Sequence, residues 1–315
     1  MTVTSYTNVL NSSEDLVTSY VETRAGFVSL ALEKSRQATP YVEEARALRT
    51  MASSFSRPEE LLTDPNIQAA LLTAAGVSDK AANHLQLEDK EEAIKGLLND
   101  FLIPAGEHFV EELVFRFLLT RGDALGGSMR NIGGVLAERK LARTLLSVLR
   151  LRKLNYMWLD RHTDQWVEQS DTDVDIEFSL KGLSWMKGEI KRTLLFNVTV
   201  PVIGKNIDLV VLNTAGDRLD LSDSASYSAI GELKGGIDPA GADEHWKTAS
   251  KALTRVREGF AEHGVHPQTF FVGAAVVTGM ASEIWTELQN GTLSFAANLN
   301  RDNQLTSLCQ WLIDH

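Results

Sequence analysis

Two stretches of this chain place charged side chains where a buried strand would not ordinarily carry them. Asp208 stands inside the apolar run Asn206-Ile-Asp-Leu-Val-Val-Leu212. An unpaired carboxylate in such a run costs roughly several kcal/mol, so something cationic must meet it. The second stretch, Tyr227-Ser-Ala-Ile-Gly-Glu-Leu-Lys234, reads as a strand of period two and breaks at Gly235-Gly236. Ala229, Gly231 and Leu233 take one face, and Ile230, Glu232 and Lys234 take the other. Asp208 followed by Glu232-Leu-Lys234 has the form D…E-x-K. Two carboxylates on neighbouring strands can hold a hard cation such as Mg²⁺, which takes oxygen ligands and keeps several waters. The carbonyl of Leu233 can act as a third ligand. Lys234 can orient or help deprotonate the attacking water and neutralise charge growing on a phosphate. That chemistry is phosphodiester hydrolysis. The triplet alone fits an ion pair at an exposed strand end better than a site, because such short patterns recur by chance.

The elements that must position these groups are an α/β set. Residues 12 to about 100 read as helices, with Ser12-Ser13 as a first cap and new starts at Thr39-Pro40, Pro58, Asp64-Pro65 and Ser78-Asp79. Pro104 to Arg121 reads as one amphipathic helix burying Phe109, Leu113 and Phe117. Gly122-Asp-Ala-Leu-Gly-Gly-Ser-Met-Arg-Asn131 reads as a glycine-rich turn into a helix ending near Lys153. Such a turn lets backbone N–H groups approach a phosphate, and Ser128, Arg130 and Asn131 are candidate DNA contacts; a plain connection between helices fits the spacing too. The segment matches neither a Walker A loop nor a dinucleotide-binding turn. Asn155–Leu159 begins the sheet, Lys191–Val200 and the Asp208 and E-x-K strands follow, and Thr269–Val277 is a later strand before two closing helices. Between them a helix buries Trp246, Ala249, Leu253, Val256 and Phe260 at three- and four-residue steps, with His245 on its flank. The expected boundary divides a helical subdomain, 1–104, from a sheet domain, 105–315.

At 315 residues the chain can bury a substantial core, and 43% hydrophobic with 23% charged residues is ordinary for a globular protein. It offers no apolar run of membrane-spanning length and no secretory leader pattern at its start, so a cytoplasmic protein is expected. The single cysteine, Cys309, excludes an internal disulfide and a cysteine metal cluster. A net charge of −11 argues against a generic nucleic-acid coat. Local charge differs: Arg130 to Arg161 holds eight basic residues against two acids, a stripe able to face phosphate or merely solvent.

Taken with Asp208, the run Gly235-Gly-Ile-Asp238-Pro-Ala-Gly-Ala-Asp243-Glu-His245-Trp-Lys and the segment from Gly122 to Asn131, the chain resembles the AvaI/BsoBI family of type II restriction endonucleases. The resemblance extends to Arg24-Ala-Gly-Phe27, Ala31-Leu-Glu-Lys34, Pro104-Ala-Gly-Glu107, Ile284-Trp285 and Leu308-Cys-Gln-Trp311. It implies an α+β restriction-endonuclease-like core, a mixed sheet flanked by helices, with an N-terminal helical subdomain embracing DNA. It further implies Mg²⁺-dependent cleavage of double-stranded DNA within the palindrome CYCGRG, leaving 5′-phosphate ends with 5′ overhangs. A donor aimed at N7 would accept either purine of that site. His245 gains from the resemblance a role in taking a proton from water. Asp238, which can be the N-cap ahead of Pro239, gains a role in accepting from cytosine N4. Lys80, two residues after the N-cap Ser78 and so not placed to stabilise a helix, is implied to read bases. A palindromic target implies a homodimer, and a cognate DNA methyltransferase acting on the same site without stable binding. Two other readings remain: a sequence-specific DNA-binding protein without turnover, and a metal nuclease acting on repair intermediates or RNA. Mg²⁺-dependent cutting and cleavage mapping separate them.

Overall fold

The chain sorts into two units that bury separate cores: Met1–Phe27 with Gly133–His315, and Val28–Ile132. The computed structural model describes residues 5–128, 131–171 and 173–314. The division differs from a single cut at 104. Phe109, Val110, Leu113 and Phe117 belong to the apolar core of the helical unit, alongside Leu48, Leu71 and Leu97. The first residues, for their part, join the sheet. Leu10 and Leu16 are buried among Trp246, Leu253 and Ile284, and Thr18 trades hydrogen bonds with Ala274 and Val276.

In the helical unit, α2 (Gln68–Ala74), α3 (Asp79–Ala82), α4 (Leu87–Leu97) and α5 (Phe109–Ser128) follow α1 (Tyr20–Ala52), which crosses the unit boundary. α1 runs unbroken for 33 residues with Pro40 inside it, where a new helix was expected. Pro40 removes one intrahelical donor, but Ala45, Leu48 and Ala52 beyond it lie on the buried core and hold the last turns. Nor is Gly122–Ser128 a turn. It forms the last turns of α5, since a helix anchored by four buried apolar residues tolerates glycines near its end.

The sheet unit carries eight strands among the described residues, in the order β2-β1-β3-β4-β5-β6-β7-β8. They are β1 (Tyr156–Asp160), β2 (Trp166–Glu168), β3 (Leu180–Lys187), β4 (Ile190–Val200), β5 (Lys205–Leu212), β6 (Tyr227–Lys234), β7 (Gln268–Gly273) and β8 (Phe295–Asn298). Neighbours from β2 to β6 are antiparallel, and β6, β7 and β8 are parallel. The sheet is therefore mixed and flanked by helices, as the α/β reading expected. α6 (Ile132–Leu151), α7 (Pro239–Ala261), α8 (Thr278–Gln289) and α9 (Asp302–Asp314) supply the helices. Phe271 packs with Trp246 of α7, whereas its neighbour Phe270, on the opposite face, meets Trp311 of α9. No described helix is long and apolar enough to cross a membrane.

Candidate active site

Asp208, Glu232 and Lys234 meet because β5 and β6 run antiparallel with Leu209 opposite Gly231 and Val210 opposite Ile230. Continuing that register brings Asp208 level with Glu232. The inward positions of both strands are filled by Val210, Leu212 and Ile230, so the sheet interior holds the pairing rigid. Lys234 Nζ donates to Asp208 Oδ2 at 2.8 Å and to Glu232 Oε2 at 2.6 Å. Asp208 Oδ2 also accepts the Leu233 N–H at 2.9 Å, which fixes the carboxylate's orientation. Glu232 is 4% exposed.

Burial, and then the charge of Asp208, raise the Glu232 pKa from 4.5 to about 7, although Lys234 pulls the other way. Burial alone would lower the Lys234 pKa, but Glu232 and Asp208 outweigh it and the net shift is upward. Once Glu232 ionises, the cluster has one negative charge in excess. Two carboxylates already converging on a cation, with that excess charge, fit a hard divalent ion that completes its shell with waters. Among the described residues no group of three or more His, Cys, Asp or Glu assembles to hold a metal, so a backbone carbonyl such as that of Leu233 and solvent would supply the remaining ligands.

The raised pKa has a consequence for stability. Between about 4.5 and 7 the folded protein holds a proton on Glu232 that the unfolded chain has released, so this group favours folding at low pH and the benefit is lost as pH rises through 7. In metal-free protein, Glu232→Gln should therefore gain on wild type by about 2–3 kcal/mol between pH 5 and pH 8. Urea titrations at several pH values test this, and parallel profiles would contradict it.

His245 is brought to the same end of the sheet. N-cap Asp238, whose Oδ1 accepts the Ala240 N–H at 3.0 Å, starts α7 right after the glycine break. All five expected core residues of α7 are buried. On its first turns the half-buried His245 ring lies over the break: a Cβ at Gly236 would stand 2.6 Å from its Cε1. The break is held from two sides. A Cβ on Gly133 of α6 would come within 2.8 Å of the Gly235 carbonyl oxygen, and one on Gly26 would strike the Ile237 side chain. Sequence reading missed Gly133 and Gly26 as positioning residues. Their signal is only a glycine within a helical pattern.

The remaining candidates are dispersed. Lys80 is exposed on α3 in the helical unit, where Ser78 caps as expected and accepts the Ala81 N–H at 3.2 Å. Asn131 is exposed and belongs to that same unit. Arg130 lies outside the described residues, as does the Ser128 side chain. Most of the basic stripe is engaged among the described residues. Arg139 covers the Phe178 ring, and Lys140, Arg143, Arg150, Arg152 and Arg161 pair with Asp302, Glu177, Asp173, Asp314 and Glu138 respectively. A cavity of about 420 Å³ beside Asp208, Glu232 and Lys234 is instead lined by Lys205, Lys251 and Arg255, none of which the sequence reading singled out.

The family model described as restriction endonuclease BsobI matches residues 6–315. The type II restriction enzyme AvaI of Nostoc sp. is 55% identical over 307 residues, covering 96% of this chain and 98% of that enzyme. The type II restriction enzyme BsoBI of Geobacillus stearothermophilus is 48% identical over 316 residues, covering 98% of each. A match across both units and at this identity assigns the chain to the BsobI family of restriction endonucleases.

Proposed function

We propose that this restriction endonuclease cuts both strands of double-stranded DNA within CYCGRG, using Mg²⁺ and leaving 5′-phosphate ends with 5′ overhangs. The observation that carries the reading is the convergence of Asp208 and Glu232 on Lys234 beside a cation-lined cavity. Asp208, Glu232 and the Leu233 carbonyl would hold the ion, whose chemistry is to oppose phosphate charge and acidify water. Lys234, beside both carboxylates, would orient the attacking water and oppose charge growing on the phosphate. His245, at the open end of the strand, takes the proton from the attacking water. The enzyme works in the cytoplasm as a homodimer, one site per strand of the palindrome, beside a methyltransferase that protects the same sequence. The target and the form of the ends rest on family membership.

For base reading we assign Asp238, with Lys80, Ser128, Arg130 and Asn131 as further DNA contacts. Asp238 is exposed while capping α7, so one carboxylate can serve both ends. Asp238→Ala should cost about 1 kcal/mol of stability through the lost cap and also raise cleavage at sites with a changed cytosine relative to CYCGRG. Unchanged discrimination on a mismatched-site panel would leave only the capping role.

Digestion of one plasmid of known sequence, with Mg²⁺ or with EDTA, followed by end mapping, tests the function. Discrete Mg²⁺-dependent cuts at CYCGRG are expected. Intact DNA from folded protein would overturn the reading, and cuts without sequence preference would overturn the target.

A further inference from the structure

Lys234 cannot both neutralise two carboxylates and draw in a DNA strand. The cluster sets two carboxylates against one ammonium, so it offers a phosphate no cation of its own to spare. Cations that are not consumed internally are needed nearby, and the paired residues of α6 are not free to serve. Lys205, Lys251 and Arg255 line the same cavity as Asp208, Glu232 and Lys234, and all three are exposed. Among the described residues none of the three forms an ion pair.

The placement on α7 is regular. Thr248, Lys251 and Arg255 follow at three- and four-residue steps, so they share one helix face. The other face is pinned by Trp246, Ala249, Leu253 and Val256, all buried, which leaves the cationic face fixed toward the cavity. Lys251 and Arg255 are about 6 Å apart along the helix axis, a stripe suited to a polyanion more than to a single small anion. Among the described residues no aromatic side chain lines the cavity, so none there can stack on a base. Resting on the duplex-cleaving reading above, we propose that Lys251 and Arg255, with Thr248 as a hydroxyl donor and Lys205 facing them from β5, grip the sugar–phosphate backbone beside the cleaved phosphate, independently of sequence.

Fluorescence anisotropy in EDTA, between 50 and 200 mM KCl, tests this with two short duplexes, one carrying CTCGAG and one without it. The double variant Lys251→Gln/Arg255→Gln should lose about tenfold in affinity for both duplexes, and the slope of log K against log salt should shrink by about 1–2 units. The charge-keeping variant Lys251→Arg/Arg255→Lys should restore the slope. An unchanged slope in the glutamine variant, or a loss confined to the CTCGAG duplex, overturns the proposal. Plasmid cleavage by wild type is scored in parallel. If wild type binds duplex but does not cut, the nuclease reading falls while the slopes still judge the grip; if it binds no duplex, both fall.

Discussion

Glu232→Gln should reduce cleavage by about a thousandfold or more while leaving duplex binding in EDTA as tight as wild type, or tighter. The amide keeps the shape of the side chain, so the strand and its 4% exposed environment tolerate it. What it removes is one of the two charged oxygen donors proposed to hold the divalent ion, together with the partner that holds Lys234 at 2.6 Å. Losing one negative charge also lessens repulsion of phosphate, which is why binding does not suffer. Single-turnover cleavage with Mg²⁺, paired with anisotropy, separates the two effects. Full cleavage by the variant would remove Glu232 from the site, and lost binding would make its role structural.

Two glycines one residue apart should behave oppositely. A Cβ at Gly235 falls inside contact distance of the Gly133 carbonyl and 2.7 Å from the Ala137 methyl. Backbone in a helix cannot swing aside, so Gly235→Ala should destabilise by about 2–3 kcal/mol or more and lose activity through displacement of the strand end. At Gly236 the obstacle is the tip of the His245 ring, 2.6 Å away. A side chain can rotate, so Gly236→Ala should leave Tm nearly unchanged yet lower cleavage about tenfold to a thousandfold by moving the imidazole. Thermal melts and cleavage rates on both variants give the contrast. Equal Tm losses would mean that the ring is as immobile as the backbone.

These residues also mark how far the sequence could be read. Asp208, Glu232 and Lys234 were legible because charge inside an apolar alternation demands a partner, and α7 was legible because its apolar steps run unbroken from Trp246 to Phe260. β3 escaped because Gly182–Trp185 is buried continuously and does not alternate. β8 escaped because four residues are too few to show a period. The pairing of the basic stripe was not legible because its partners, among them Glu177, Asp302 and Asp314, lie far along the chain. Gly133 touching Gly235 is a meeting of backbones, which no side-chain pattern records. Lys251 and Arg255 look like ordinary solvated positions of an amphipathic helix until the sheet places the carboxylates beside them.

The attachment of the first residues to the sheet bears on the order in which the two units can form. Asn298 donates to the Leu16 carbonyl across 282 positions, and Gln304 to the Asp15 carbonyl across 289. On the ribosome, the helical unit, Val28–Ile132, is continuous and can fold as it emerges. The sheet unit cannot close until its last strand and helix arrive to receive a segment made at the outset. A nascent chain that lacks β8 and α9 has nothing to receive Asp15 and Leu16, so the nuclease core closes only after both have been made.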